Sequence, residues 1–221
     1  FSNAGDPDQA FSRFAAFFAG LSTGVQVLAL LDARPVFLDL LARILAVAPR
    51  LADELARRPA LLDALIEPRF ATPLAEDRPG ARLAELRERL SDVATFEEKL
   101  NVARRFHREE AFRIAVQVLE QAASAEQSGA AYADLAESCV ASMADAALAE
   151  TERQHGAQPG AFVVAALGKF GGRELAESSD LDLMVVYDAP DDASAASDFY
   201  TRLTQRLISA LSAPTEEGAL Y

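Results

Sequence analysis

The fold is decided by residues 162–187, which read Phe162-Val-Val-Ala-Ala-Leu-Gly-Lys-Phe-Gly-Gly-Arg-Glu-Leu-Ala-Glu-Ser-Ser-Asp-Leu-Asp-Leu-Met-Val-Val-Tyr187. Glycines and carboxylates stand here between two apolar runs typical of strands. The first run, residues 162–167, is continuously apolar and rich in valine, which predicts a strand buried on both faces. The second run, residues 180–186, begins at the acids and predicts a strand that follows the glycine turn.

Two carboxylates open the second run. Asp180 and Asp182 are two residues apart, so in an extended chain their side chains leave on the same face, about 7 Å apart. Leu181 and Leu183 are then expected to point into the core. Two such acids repel each other unless a cation lies between them, and hard oxygen ligands favour Mg²⁺ or Mn²⁺ over zinc. The pattern therefore predicts a divalent-metal site at Asp180 and Asp182.

The glycines upstream predict a phosphate-binding turn. Gly171 and Gly172 let the backbone turn sharply and bring N–H groups close to a phosphate. Ser178 and Ser179 add hydroxyl donors. A turn of this kind beside paired acids is what metal-assisted nucleotidyl transfer requires, because that chemistry depends on positioning and on neutralising charge.

The glycines and the paired acids also allow other interpretations. A lone Asp-x-Asp is common on surfaces, and a lone Gly-Gly is usually only a turn. Gly168-Lys169 does not form a P-loop, because the earlier glycine and the following Ser or Thr are missing. Glycosyltransferases also place Asp-x-Asp on a metal and a diphosphate, but they do not require the glycine turn eight residues upstream of Asp180. They remain an alternative.

Residues 168–183 resemble the motif of the glutamine synthetase adenylyltransferases. These are large bifunctional enzymes of the nucleotidyltransferase superfamily, related in fold to polymerase beta. The resemblance implies Mg²⁺-dependent transfer of AMP from ATP to a tyrosine hydroxyl of glutamine synthetase. It also implies that Asp180 and Asp182 bind the metal ions, and that Gly171, Gly172 and Ser179 bind the nucleotide.

The family's third carboxylate follows a Gly-Ala-Leu-Tyr stretch, and this chain stops at Tyr221 on that stretch. The expectation is an incomplete fragment with weak or no activity of its own. Residues 2–4, Ser-Asn-Ala, resemble the remnant of a cleaved tag.

Composition restricts the class of protein. Of the 221 residues, 51% are hydrophobic, which indicates a globular chain. No apolar run reaches the roughly 18 residues of a membrane span, and no signal-peptide pattern is present, so a soluble, cytoplasmic protein is expected. The single cysteine, Cys139, is expected to be a small core residue. A net charge of −13 argues against a nucleic-acid surface.

The first half predicts a helical bundle. Residues 9–19 are apolar on one face and predict a first helix. The segment Arg34-Pro-Val-Phe-Leu-Asp-Leu-Leu returns 24 residues later as Arg58-Pro-Ala-Leu-Leu-Asp-Ala-Leu. With Pro49 between them, the prolines predict the starts of three short helices in series. This region also resembles the part of the adenylyltransferases that lies between their two nucleotidyltransferase domains.

Two long helices are predicted next. Thr95-Phe-Glu-Glu98 and Ser124-Ala-Glu-Gln127 are capping boxes, predicting helices to about residues 121 and 154 that form an antiparallel pair. His107 falls on the apolar stripe of the first helix and is expected to be packed and hydrogen-bonded, while His155 suits a helix C-terminus. That first helix also carries the basic cluster Lys99, Arg104, Arg105, Arg108 and Arg113. These side chains are expected either to pair with neighbouring glutamates or to meet phosphates or an acidic partner.

The predicted fold is mostly α with a small α+β part, a helical bundle followed by the start of a polymerase-beta-like nucleotidyltransferase fold. The predicted domains are residues 1–80 (helical linker bundle, with 1–4 the tag remnant), 81–160 (long helical pair) and 161–221 (first part of the nucleotidyltransferase domain). The predicted cofactor is Mg²⁺ or Mn²⁺, with ATP as substrate and glutamine synthetase as protein substrate. The alternative function is a helical interaction module that binds a PII signal protein or glutamine synthetase.

Overall fold

The computed structural model describes residues 7–19, 31–32, 35–66, 70, 72–188 and 193–221. Most of these residues are helical, and two short strands form an antiparallel sheet. The prediction of a mostly α chain with a small α+β part is therefore confirmed. The expected tag remnant, residues 1–4, lies outside the described residues. Within the described part of the chain, no helix has the length and apolar character needed to cross a bilayer.

The described residues fall into two compact units. One lies within Phe1–Pro73 and Phe112–Ala123, and the other within Leu74–Ala111 and Ser124–Tyr221. Both units take part of a single helix, α6 (Phe96–Leu119).

The first unit is built from short helices that start at or near prolines. They are α1 (Pro7–Ala19), α2 (Pro35–Val47), α3 (Pro49–Arg57) and α4 (Leu61–Ile66). Proline is tolerated there because the first helical N–H has no intrahelical partner. The three predicted helices in series, α2 to α4, are confirmed. α4 begins two residues after Pro59, because Pro59 and Ala60 form a turn whose carbonyls accept the first amide bonds of the helix.

The short helices of the first unit are held together by one apolar core. A helix of six to thirteen residues is not stable alone, so its apolar face must be buried against its neighbours. The end of α6 contributes to the same core. Its buried members are Phe17, Leu31, Phe37, Leu41, Ile44, Leu45, Leu51, Ala52, Leu55, Leu61, Leu62, Leu65, Phe70, Phe112 and Val116.

The second unit holds the long helices and the sheet. In chain order its elements are α5 (Ala81–Ser91), α6 (Phe96–Leu119, of which residues 96–111 belong here), α7 (Ala125–His155), β1 (Ala161–Ala166), the single helical turn α8 (Gly168–Gly171), β2 (Leu183–Asp188) and α9 (Ala193–Ser212). α7 packs against α5 and α9. The predicted apolar face of α9 is buried through Phe199, Leu203, Leu207 and Leu211.

Both predicted capping boxes are present. At the start of α6 the Glu98 N–H donates to Thr95 Oγ1 (3.2 Å), and the Thr95 N–H donates to Glu98 Oε2 (3.3 Å). Ser124 and Gln127 exchange the equivalent bonds before α7. His155 is the last residue of α7, as predicted. In the first half of α7, the Tyr132 hydroxyl donates to the Ala111 carbonyl on α6 (3.5 Å).

A buried arginine ties three parts of the second unit together. Arg82 is 5% exposed and donates to Asp77 (2.5 Å), Glu110 (2.9 Å) and Asp134 (2.9 Å). Burial alone would lower the pKa of Arg82, but the three carboxylates raise it above its ordinary value. The guanidinium therefore stays charged inside the unit and joins α5, α6, α7 and the segment before α5.

The basic cluster on α6 binds backbone and side chains far away in sequence. Arg104 is buried and donates to the Ala210 (3.4 Å) and Ala213 (2.8 Å) carbonyls at the end of α9. Arg105 and Arg108 both bind Glu217. In the first unit, Arg113 donates to the Thr72 carbonyl (2.8 Å). Three arginines of the cluster thus hold the segment after α9, a role that neither interpretation of the cluster predicted.

His107 is packed against the end of the chain. Its ring lies edge-on to Tyr221, with 4.8 Å between the ring centroids. Burial, and secondarily the charge of Arg108, lowers the pKa of His107 from 6.5 to about 4. The imidazole is therefore neutral near pH 7. The predicted packing of His107 is confirmed, whereas its hydrogen bonding stays a prediction.

The sheet is covered on one side only. β1 and β2 pair from Ala161 opposite Asp188 to Ala166 opposite Leu183. On one face Tyr187 stacks on Tyr200 of α9, with 4.4 Å between the ring centroids. The other face exposes four large apolar side chains: Val163 (61%), Leu167 (44%), Met184 (48%) and Val186 (46%). The prediction that the first strand is buried on both faces is therefore wrong, because no described residue covers this face.

The first prediction concerns Arg82. Replacing it as Arg82→Leu leaves three carboxylates facing one another in the interior, so the free energy of unfolding should fall by about 3 to 5 kcal/mol. Urea denaturation measures the change. Arg87→Leu is the control on the same helix, because the Arg87 bridge to Asp145 is largely exposed and should contribute less than about 1 kcal/mol. Equal losses in the two variants would contradict the role given to Arg82.

The burial of His107 predicts how the free energy of unfolding depends on pH. The folded pKa of His107 is depressed, so folding favours the neutral ring; its contribution is complete above pH 6.5 and is lost as the pH falls toward about 4. His107→Gln should make the free energy of unfolding fall less steeply over that interval, as measured by urea denaturation at several pH values. A wild-type slope in His107→Gln would contradict the assignment.

Candidate functional site

The two predicted metal ligands lie just before β2. Asp180 and Asp182 belong to the extended segment that leads into Leu183, so the strand begins three residues later than predicted. Both acids are exposed, whereas Leu181 and Leu183 are half-buried. Asp182 directly precedes the strand, so this alternation indicates that its side chain faces the open side of the sheet.

The backbone fixes where Asp182 lies. Its carbonyl accepts the Leu167 N–H at 2.9 Å, which extends the β1–β2 ladder by one bond. Leu167 in turn accepts the Gly171 N–H at 2.9 Å, the bond that closes the helical turn α8. Asp182 is therefore held beside the glycine turn by two consecutive backbone hydrogen bonds.

The carboxylate of Asp182 lies against Gly168. Gly168 has φ +52°, and a Cβ built on it would be 2.4 Å from Asp182 Oδ2. Glycine is favoured at this φ, which other L residues rarely adopt, and a Cβ here would displace the end of the Asp182 side chain. The structure thus brings one of the two predicted acids to the glycine turn, and its closest glycine is Gly168.

Gly171 and Gly172 form the end of the turn. Their N–H groups donate to the Leu167 (2.9 Å) and Gly168 (3.0 Å) carbonyls. A Cβ on Gly171 would be 2.6 Å from the Ala166 carbonyl oxygen, so the turn can approach β1 only with glycine at this position. The described turn therefore uses the two amides that were predicted to face a phosphate. Nucleotide binding by these glycines stays a prediction.

The predicted serines lie in the loop after α8. Ser179 Oγ accepts the Ala176 N–H (2.9 Å), and the Ser179 N–H donates to the Ala176 carbonyl (3.0 Å). These bonds close a small turn just before Asp180. Ser178 is exposed. The assignment of Ser179 to nucleotide binding also stays a prediction, and the bonds shown position the acid-bearing segment.

The glycine turn is fastened to α7. Arg173 has φ 58°, a left-handed conformation that is uncommon outside glycine. Its guanidinium donates to Glu137 (3.2 Å) and to the Ala130 carbonyl (3.3 Å). The loop passes close to α7 at Gly129, where a Cβ would be in ordinary contact with the Arg173 carbonyl oxygen at 3.4 Å. The side chain of Leu175 is buried. The loop that follows the glycine turn is therefore attached to the long helix α7.

The donor set fits a magnesium ion. Two exposed carboxylates supply hard oxygen ligands, and Mg²⁺ is commonly bound by one or two carboxylates together with substrate phosphates and water. Among the described residues no group of three His, Cys, Asp or Glu side chains could hold a metal ion. The pair is therefore suited to a cation that arrives with a phosphorylated substrate rather than to a closed structural metal site.

Sequence reasoning missed Gly168. It was considered only as part of a P-loop, which the neighbouring residues exclude. The useful signal was its place at the end of the first strand, since a glycine there can take a positive φ and admit a neighbouring side chain.

Comparisons with known proteins agree with the resemblance of residues 168–183. The family model described as glutamate-ammonia ligase adenylyltransferase matches residues 38–221. Three similar proteins are each named bifunctional glutamine synthetase adenylyltransferase/adenylyl-removing enzyme. The protein of Caulobacter vibrioides is 48% identical over 98% of this chain, that of Brucella suis 42% over 97%, and that of Xanthobacter autotrophicus 41% over 100%.

The match covers nearly all of this chain but only a small share of each relative. The chain matches 22% of the Caulobacter vibrioides and Brucella suis proteins and 23% of the Xanthobacter autotrophicus protein. It therefore spans about a quarter or less of the length of these relatives. The family model nevertheless covers most of this chain, including the glycine turn and both acids. The chain belongs to the glutamate-ammonia ligase adenylyltransferase family.

Proposed function

We propose that this protein takes part in Mg²⁺-dependent transfer of AMP from ATP to a tyrosine hydroxyl of glutamine synthetase, and so regulates nitrogen assimilation; Mn²⁺ could replace Mg²⁺. Family membership supports the transferase class and the protein substrate. The observation that carries the chemistry is the position of Asp182, an exposed acid beside the glycine turn.

In this proposal the tyrosine oxygen forms a bond to the α-phosphorus of ATP. The bond between that phosphorus and the bridging oxygen to the β-phosphate breaks, pyrophosphate leaves, and the phenolic proton is released. Asp180 and Asp182 would hold the divalent cation, which when bound would neutralise charge on the phosphates. The turn Gly168–Gly171 and the loop fastened to α7 keep Asp182 in place before substrate arrives.

We further propose that residues 161–221 begin a polymerase-beta-like nucleotidyltransferase domain. Two features support this proposal. The strands β1 and β2 are antiparallel with both acids just before the second strand, and α9 packs on one face of the sheet. The open face, which Asp182 shares with Met184 and Val186, is the side on which nucleotide and acceptor tyrosine would meet.

The test of this function uses the full-length protein. Asp182→Asn should lower the rate of AMP transfer about a thousandfold, equivalent to about 4 kcal/mol, because a ligand of the cation is lost. Transfer of radiolabelled AMP to glutamine synthetase measures the rate. Asp188→Asn is the matched control, because Asp188 is an exposed acid at the far end of the same strand. A rate within tenfold of wild type for Asp182→Asn would refute the assignment.

A second proposal concerns the first unit, which would dock a PII signal protein or glutamine synthetase. An apolar groove supports it, lined by residues of α2, α4 and α6 including Leu40, Leu65 and Val116. Val36, also on this groove, is 84% exposed. An exposed apolar surface of this kind is typical of an interaction site.

Deleting residues 1–73 from the full-length protein should weaken binding of the PII protein or of glutamine synthetase at least tenfold, as measured by calorimetry. Val36→Asp is the finer variant, because it places a charge in the groove without removing a helix. Undiminished binding of both proteins after the deletion would refute the docking role.

A further inference from the structure

Gly168 combines two features that the other described glycines with positive φ do not. Its φ is +52°, and a Cβ placed on it would be 2.4 Å from Asp182 Oδ2. Gly80, Gly156 and Gly218 also have positive φ, but a Cβ on any of them would have no atom within 4 Å. At Gly168 alone among these four, the missing side chain leaves space that a carboxylate occupies.

Backbone hydrogen bonds hold the main chain in place around the contact between Gly168 and Asp182. The Leu167 N–H donates to the Asp182 carbonyl (2.9 Å), and the Gly171 N–H donates to the Leu167 carbonyl (2.9 Å). The residue before Gly168 and the backbone of Asp182 therefore cannot easily separate. A Cβ at position 168 would displace the end of the Asp182 side chain, which is the part of the contact that can rotate.

We infer that Gly168 is a positioning residue, which sets the orientation of the Asp182 carboxylate and thereby the affinity of the divalent-cation site. This inference rests on the proposed function, in which Asp182 holds the cation. Residues that orient a metal ligand without touching the metal commonly change metal affinity by about 10- to 100-fold when mutated. The same range is expected here.

Two variants at position 168 distinguish the effect of a Cβ placed against the Asp182 carboxylate from the effect of backbone strain. Gly168→Ala adds a Cβ and also strains a left-handed backbone, whereas Gly168→Asn adds the Cβ at a position whose φ asparagine tolerates better. Gly80→Ala is the matched control, because it places a Cβ at another glycine of positive φ (73°) but in open space. Thermal melting should show similar small losses of stability in Gly80→Ala and Gly168→Ala, and a smaller loss in Gly168→Asn.

The decisive measurement is Mn²⁺ binding to the full-length protein, followed by electron paramagnetic resonance of free Mn²⁺ in the presence of a non-hydrolysable ATP analogue. Both Gly168 variants should raise the Kd for Mn²⁺ at least tenfold, while Gly80→Ala should stay within twofold of wild type. The double variant Gly168→Ala with Asp182→Asn should bind no more weakly than Asp182→Asn alone, because both changes act through one carboxylate.

The outcomes distinguish this inference from the proposed function. If Asp182→Asn abolishes Mn²⁺ binding while both Gly168 variants bind as wild type does, the positioning role is refuted and the proposed function stands. If Asp182→Asn itself leaves Mn²⁺ binding unchanged, the metal assignment fails and the inference fails with it. Loss of Mn²⁺ binding in Gly80→Ala equal to that in Gly168→Ala would assign the effect to backbone strain and would also refute the positioning role.

Discussion

The second unit depends on one buried charge. Arg82 projects from α5 into the interior, where it meets carboxylates from α6, from α7 and from the segment before α5. Only a planar guanidinium, with donors pointing in several directions, can satisfy three such partners at once. Without the arginine, the same carboxylates would be like charges in a poorly solvated space. The helices can therefore pack closely only while this charge is present.

The ion pairs of Arg82 are connected to the candidate site through α7. Asp134, which accepts from Arg82, also lies 3.9 Å from the guanidinium of Arg173 in the loop after the glycine turn. Arg173 is held as well by Glu137 and the Ala130 carbonyl. The loop that carries the acids is thus attached to a helix whose own position is fixed by buried electrostatics. A preorganised site of this kind suits phosphoryl chemistry, in which the protein mainly positions groups and neutralises charge.

Local features could be predicted from the sequence, because they depend on neighbouring residues. The capping boxes at Thr95 and Ser124, the proline-initiated helices and the end of α7 at His155 all follow from interactions within a few residues. That Asp182 lies near the glycine turn could also be predicted, since one short connection joins the two, although its closest glycine is Gly168 and not Gly171 or Gly172. Interactions between residues that are far apart along the chain could not be predicted from the sequence.

Three examples show this limit. Arg108 binds Glu217, which lies 109 residues away, so local pairing rules could not identify its partner. Val163 belongs to a continuous apolar run, yet it is 61% exposed, because burial of a strand face depends on what packs over it. The contact between Gly168 and Asp182 depends on a positive φ and on the register of two strands, neither of which composition reveals.

The burial of Cys139 has a practical consequence. This thiol, the single one in the chain, lies in the interior of α7, where burial and the nearby charge of Glu110 raise its pKa well above the ordinary value. An alkylating reagent attacks the thiolate, which is scarce here and shielded from solvent. Labelling must therefore wait for the helix to open, so the rate of alkylation under native conditions reports the equilibrium between closed and open forms of this region.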